Sequence, residues 1–439
     1  MRILFHVEPL HFHNRPFHYW AWLDRAASLG RNLESQGWDV RWAMNAALAT
    51  RAVAPRPAVH EHHPSEGHGL RREHIGVLHQ EEIRRLYGVP NMEILRGIHE
   101  GTWPPATRLA HGRLLRERLD GFDPDVIITW SPSAHLRSAH PDALILHTEN
   151  GIFSRAPYEA FQFLDPQGLY SQSLVSTHAE SLRARIATDR ERAWLADFRD
   201  RARAHHRAVT PFRELEERLR LEYRSIAFLP LQFAGEAGFD LNAPFRNQGE
   251  FLWHVLEHLP SDVALIVTEH PTALWVGDRI DEETREYLSA AAPQAHFVPF
   301  DAAPHAGQVL LHHCDSVISV SSSLGLQALL FGRTLIAPGS SHLRDWAHSS
   351  DPAALSRFPD ATNVDGAMAF LLRHYFVRDQ LCFEDAAAID GHIRRMHSKW
   401  TTGERGLSLL EPIESIESIE AAMLGRFPDP SSSGGSRLP

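Results

Sequence analysis

A single lysine, Lys399, stands among the 44 basic residues of this 439-residue sequence. Its setting, MHSKW, argues against two large classes of phosphate chemistry. A Walker loop needs a lysine after its glycines, and a pyridoxal-phosphate enzyme needs a Schiff-base lysine. Any phosphate clamp built from side-chain charge must therefore use arginine. Cysteine is almost as scarce: Cys314 and Cys382 are too few for a disulfide framework or a cysteine-ligated zinc site. No run of 18 apolar residues occurs, so no membrane-spanning helix is expected. The start, MRILFHVEPLHFHNRPFH, lacks the apolar core and small-residue cleavage site of a signal peptide. Positive charge is also lacking overall. With a formal net charge of −11 the chain offers no basic field for nucleic acid or an anionic membrane. The expectation is a cytoplasmic protein with no nucleic-acid partner.

Histidine, by contrast, is abundant, at 30 residues. Its clusters, His11–His18 (HFHNRPFH) and His60–His68 (HEHHPSEGH), are irregularly spaced and no HExxH occurs, so no dedicated metal site is expected. Composition is that of a globular protein, 43% hydrophobic and 23% charged, with mean hydropathy −0.30.

The hydrophobic periodicity gives an α/β protein. RILFHVE (2–8) reads as a buried strand, Tyr19–Gln36 as an amphipathic helix ending at Gly37, and WDVRWAM as a second strand, a βαβ opening. Residues 51–101 read as loops and short helices. DPDVIITW and ALILHTEN are further strands. A charge-dense stretch from Ser181 to Glu222 reads as solvated helices joining two halves. Beyond it, strands SIAFLPLQ, DVALIVTEH, AHFVPF, SVISVSS and TLIAPG alternate with helices, as in a Rossmann-like domain. Residues 364–400 read as helical. The expected division is an N-terminal Rossmann-like domain (1–180), a helical linker (181–222), a C-terminal Rossmann-like domain (223–380), C-terminal helices (381–425) and a disordered tail (426–439).

Ligands of such sheets bind beyond the carboxyl ends of the strands, and three strand ends carry chemistry. TENG places Glu149 before a glycine turn, suited either to general-base work or to an exposed turn. EHP places His270 at the end of the apolar run DVALIVT. Pro271 keeps that histidine extended, where it can protonate or neutralise a departing phosphate or simply terminate the strand. Ser321, Ser322 and Ser323 lie where SVISV hands over to LGLQALL. One serine would cap the helix; three, with Gly325 in the first turn, leave a phosphate cradle open.

Two stretches resemble the glycosyltransferases of bacterial capsular-polysaccharide synthesis and export, including the retaining β-Kdo transferases. One is HTENGIFSRAPYEAFQFLDPQGLYSQSL (147–174); the other runs from Leu229 to Gly339 through LPLQFAGEAGFD, LIVTEHP and VISVSSSLGLQALL. GT-B bacterial sialyltransferases share a related trio of motifs. The resemblance implies a GT-B fold, two Rossmann-like domains facing a central cleft, with 1–180 the acceptor domain and 223–380 the nucleotide-sugar domain. It implies transfer of a sugar to a glycan or glycolipid acceptor, and leaves open peripheral contact with a membrane polysaccharide assembly complex at the inner face. The implied donor is a nucleotide sugar, a CMP-activated acidic sugar such as Kdo or sialic acid, with no other cofactor and no metal. Carried over by position, Glu149, His270 and either Glu236 or Asp240 are catalytic. Gln232, His270, Pro271, Ser321–Ser323 and Gly325 hold nucleotide and phosphate; His13, Arg15, Asn150, Gly151 and Arg155 hold substrate. If the reaction inverts, Glu149 deprotonates the acceptor; if it retains, Glu236 or Asp240 is the nucleophile. The departures are Asn150 at the second acidic position, Gln327 where relatives often carry Glu, and Thr268-Glu269 in place of a lysine before HP. A CDP-glycerol-type phosphotransferase, a UDP-sugar GT-B enzyme and a catalytically silent scaffold remain the alternatives.

Overall fold

The computed structural model describes residues 1–7, 17–54, 67–271, 273, 279–357 and 364–427. The chain divides into two compact units. Unit 1 comprises 1–149, 162–174 and 377–413; unit 2 comprises 150–161, 175–376 and 414–439.

Unit 1 is built on a five-stranded sheet of β1 (Arg2–His6), β2 (Asp39–Met44), β3 (Ile75–Val77), β4 (Val126–Thr129) and β5 (Leu144–His147), in the order β3-β2-β1-β4-β5. All four pairings are parallel. β4 and β5 are buried along their whole length, which is why their sequences, VIIT and LILH, are runs rather than alternations. Unit 2 repeats the plan with β7 (Ser225–Pro230), β8 (Val263–Thr268), β9 (Ala295–Phe297), β10 (Ser316–Ile318) and β11 (Thr334–Ile336), in the order β11-β10-β7-β8-β9. Counted within the unit this is the same 3-2-1-4-5 order, read from the opposite edge, with every pair parallel. Each unit thus has the doubly wound order, with its switch point between the first and fourth strands, so the expected α/β chain with two Rossmann-like domains is what the chain forms. Two short strands, β6 (Phe161–Phe163) and β12 (Phe376–Arg378), lie where the chain passes from one unit to the other.

The partition is discontinuous, where the sequence pattern suggested single boundaries near 180 and 380. Residues 150–161 belong to unit 2, and the helix Ala386–Thr401 belongs to unit 1. The charge-dense region 181–222 is not a linker. Its helices, Asp189–Arg207 and Thr210–Glu222, lie in unit 2, and the first buries Trp194, Leu195, Phe198 and Ala202 beneath its charged face. Capping explains its start: Thr188 accepts the Glu191 N–H while Glu191 accepts the Thr188 N–H.

The region 51–101 also differs from its expectation, supplying the edge strand β3 and the helices Gln80–Tyr87 and Asn91–Glu100. Residues 364–400 are interrupted by β12 between helices. The beginning of the expected disordered tail is packed. Phe427 is 1% exposed and meets the rings of Tyr158, Phe198 and His206, while Arg426 Nη2 donates to Glu159 at 2.5 Å. Residues 428–439 lie outside the described set.

Candidate functional site

The carboxyl ends of β7, β8 and β10 bring most of the sequence-derived residues together within unit 2. β7 is wholly buried and is followed by Leu231, Gln232 and Phe233, also buried, then by Gly235 at φ 88°. That left-handed turn needs glycine. It delivers Glu236 as the residue before a four-residue turn of helix, Ala237–Asp240. Asp240 folds back on the same loop, its carboxylate accepting the Gly235 N–H at 3.0 and 3.1 Å. Glu236 is held differently. Burial and the nearby Asp240 push its carboxyl up to about 7, against the opposing pull of the Arg155 guanidinium.

β8 delivers His270, one residue beyond Glu269. The His270 carbonyl accepts the Ala273 N–H at 2.9 Å, so Pro271 sits in a tight turn. The imidazole packs against Phe233, ring centroids 5.3 Å apart, and its Nε2 lies 3.3 Å from Arg155 Nη2. Arginine can only donate, so in this contact Nε2 is the acceptor. Arg155 is carried on residues 150–161, and Gln308 Nε2 donates to its carbonyl at 3.4 Å. Gly151, on the same segment, is needed for close approach: a Cβ there would lie 2.8 Å from the Phe161 Cβ.

β10 delivers the serines, and each has a separate position. Ser321 is paired with Gln232: Gln232 Nε2 donates to Ser321 Oγ at 2.9 Å, and the Ser321 N–H donates to Gln232 Oε1 at 3.0 Å. Ser322 is the N-cap of the helix Ser323–Leu330, its Oγ accepting the Leu324 N–H at 3.3 Å. Ser323 opens the helix and is half-buried. Gly325 faces protein rather than an open cradle, since a Cβ there would fall 2.5 Å from Leu343 Cδ1.

The departures have structural explanations. Gln327, 1% exposed, donates from Nε2 to the Ile152 carbonyl at 2.8 Å, which a carboxylate could not do. Glu269, buried at the strand end, accepts the Ile280 N–H at 2.8 Å, pairs with Arg285 and lies 3.9 Å from Arg279. It therefore anchors the chain that follows the EHP turn.

Two further sequence-derived residues lie where the chain passes between the units, and two lie outside the described residues. Glu149 is the last residue of unit 1 and Asn150 the first of unit 2; the Glu149 carbonyl accepts the Phe163 N–H at 3.3 Å, and Asn150 is exposed. His13 and Arg15 lie outside the described residues, as do most of the two histidine clusters. Among the described residues no group of three or more His, Cys, Asp or Glu is arranged to hold a metal ion, and no helix is long and apolar enough to cross a membrane. Sequence reasoning missed Phe233 and Gln308. Phe233 adjoins Gln232 and could have been flagged as an aromatic at a strand end; nothing in the pattern around Gln308 marks it.

Residues 176–371 match the family model described as capsule polysaccharide biosynthesis protein. The match falls wholly within unit 2 and contains Gln232, Glu236, Asp240, His270 and the serines. That match bears out the resemblance read from the motifs. No curated protein matches the chain. Among solved structures the β-Kdo 2,7 transferase of Thermosulfurimonas dismutans KpsC is similar at 15% identity and TM-score 0.37, over 64% of this chain and 89% of that one. The β-Kdo 2,4 transferase of the same protein matches at 18% identity and TM-score 0.35, over 58% and 80%. Anabaena Alr3699/HepE in complex with UDP-glucose matches at 11% identity and TM-score 0.35, over 91% and 100%. Likeness at this level assigns no donor or reaction to this chain.

Proposed function

We propose that the chain is a glycosyltransferase of surface-polysaccharide synthesis. Unit 2 takes a nucleotide-activated sugar, with a CMP-linked acidic sugar such as Kdo or sialic acid as donor. One observation carries the reading: at the carboxyl edge of the doubly wound sheet of unit 2, Arg155 lies 3.3 Å from His270, which falls within the stretch matching the capsule-biosynthesis family model, beside a carboxyl held near neutrality. Ligands of such sheets lie at this edge. An arginine and a histidine side by side can both turn their N–H groups to a departing nucleotide phosphate, the arginine as a permanent charge and the histidine as a proton donor.

The two carboxylates have different tasks. Asp240 holds the Gly235 turn, so Glu236 is the residue offered to the sugar. With its pKa at about 7, the Arg155 guanidinium offsetting part of the upward push of burial and Asp240, it is partly ionised at neutral pH. That suits a carboxylate that attacks the anomeric carbon to form a covalent intermediate, released when the acceptor hydroxyl displaces it. In the inverting alternative Glu149 takes the acceptor proton and Glu236 has no covalent role. The nucleotide sugar is the only small molecule the scheme requires.

Incubating the protein with CMP-Kdo, CMP-sialic acid, UDP-sugars and CDP-glycerol, with and without a glycan acceptor, tests this. Release of CMP only with acceptor supports the reading. UDP release, or transfer of a glycerol phosphate group from CDP-glycerol, overturns the donor assignment. Binding of a nucleotide without turnover of any donor favours the silent scaffold.

A further inference from the structure

Arg155 stands on a short loop whose base is aromatic. Phe153 and Tyr158 are stacked, ring centroids 4.2 Å apart and planes at 17°, so residues 154–157 are closed off between them. Both rings are buried, whereas Arg155 is exposed. The base is tied to the rest of unit 2 at two points. Tyr158 Oη lies 2.9 Å from His312 Nε2, and Gln327 Nε2 donates to the Ile152 carbonyl at 2.8 Å. The last described residues of the chain complete that base. The Phe427 ring lies 5.3 Å from Tyr158 and 5.8 Å from Phe198, centroid to centroid. Arg426 donates from Nε and Nη2 to Glu159 Oε2 at 3.2 and 2.5 Å, and Glu159 is itself buried. The helix before them, Ile416–Leu424, is clamped in turn. Arg190 donates from Nη1 to Glu417 at 2.5 Å, and from Nε and Nη2 to Glu420 at 3.2 and 3.1 Å. The chain end is thus built onto the helix Asp189–Arg207 and reaches the loop at two adjacent residues, Tyr158 and Glu159.

We infer that Arg426 and Phe427 are positioning residues for Arg155: they hold the base of its loop so that the guanidinium stays beside His270. The inference rests on the proposed function in taking Arg155 as a ligand of the nucleotide phosphate. Neither residue needs to touch the nucleotide. A close-packed interior relaxes only partly around a void, so losing the Phe427 ring lets Tyr158 shift toward the space it leaves. With only four residues between Phe153 and Tyr158, a shift at the base is carried to Arg155. Hydrogen bonds weaken steeply with distance and angle, so a small displacement there loosens the grip on a phosphate. The C-terminal residues therefore act on binding through Arg155 and by no other route.

Two measurements on the full chain, made well below the Tm of every variant, test this. Hydrogen exchange needs no ligand. Phe427→Ala should speed exchange in the peptide covering 151–161 and leave β8, residues 263–268, as protected as before. Faster exchange in both peptides would mean general loosening and overturns the positioning role. Calorimetric titration of CMP then gives the coupling. Phe427→Ala should weaken CMP several-fold, bounded by the roughly 10-fold loss expected of Arg155→Ala itself. Phe427→Leu keeps most of the apolar bulk and should recover most of the affinity, and Arg426→Ala should weaken CMP in the same direction as Phe427→Ala. In the Arg155→Ala background, Phe427→Ala should add nothing further, because its route to the ligand is gone. A merely structural residue would lower Tm and leave CMP affinity untouched, and that result overturns the inference. So do losses that add in full in the double variant. If the wild type binds UDP and no CMP, the donor reading fails, and the same cycle run with UDP decides the role of Phe427. If the wild type binds neither, the nucleotide reading itself fails and this inference fails with it, a failure visible before any variant is made.

Discussion

Arg155 and His270 are 115 residues apart in sequence, yet Nη2 of the one lies 3.3 Å from Nε2 of the other. The arginine arrives on the 150–161 segment and the histidine on the end of β8. Because the guanidinium donates, the imidazole in this contact is neutral at Nε2 and carries its proton on Nδ1.

The two residues should therefore behave as one unit toward an anion. Arg155→Ala and His270→Ala are each expected to weaken nucleotide binding by about 10-fold, and the double variant by clearly less than the product. Calorimetry on the four proteins gives the coupling. Arg155→Lys should restore little, since a lysine offers no planar fork.

Gln327→Glu is expected to destabilise the protein even though the resemblance leads one to expect an acidic residue there. The Ile152 carbonyl would lose its donor, and a carboxylate would be buried against it, at a cost of about 2 kcal/mol or more. Urea unfolding measures this. A Glu that left stability unchanged would contradict the assigned hydrogen bond.

Stability should respond to pH in two opposed ways. Burial pulls His111, His147 and His392 down to about 4. In the unfolded chain each takes up a proton near pH 6.5, so their contribution is complete above that value and is lost as pH falls toward 4. Tm should drop by several degrees between pH 7 and 5, and His111→Gln should flatten the slope. Glu236 has the reverse sign. Its folded pKa of about 7 lies above the unfolded value, so the folded state holds a proton that the unfolded chain has lost between roughly pH 4.5 and 7. Its contribution therefore falls as pH rises through that window. Glu236→Gln should accordingly be more stable than the wild type at pH 8, by about 2 °C in Tm or more.

Truncation before Arg426 should cost stability that a disordered tail would not. It removes the Arg426–Glu159 pair and empties the place of Phe427 among Tyr158, Phe198 and His206. Removing a buried phenylalanine costs about 3 kcal/mol or more. Truncation after Phe427 is the control.

That tail shows why the sequence was only partly legible. One phenylalanine ahead of PDPSSSGGS has no periodicity to mark it, and its burial depends on rings more than 200 residues away. β3 was hidden for a related reason: with three residues, Ile75–Val77, it falls below the length at which alternation can be seen. The two sheets were legible because buried parallel strands are continuous apolar runs, such as VALIVT and SIAFLP. Within the site, His270 and the serines could be placed from strand ends alone. The use of Gln232 as a partner for Ser321, and of Glu269 as an anchor for Arg285, could not, since both depend on which strands are neighbours in space.

The central claim is that unit 2 binds the phosphate of a cytidine nucleotide at the carboxyl edge of its sheet. The most direct measurement is titration of CMP, CDP and UDP into the wild type and His270→Ala by calorimetry. CMP binding that weakens about 10-fold or more in the variant is the expected result. A preference for UDP, or binding that is indifferent to His270, would contradict it.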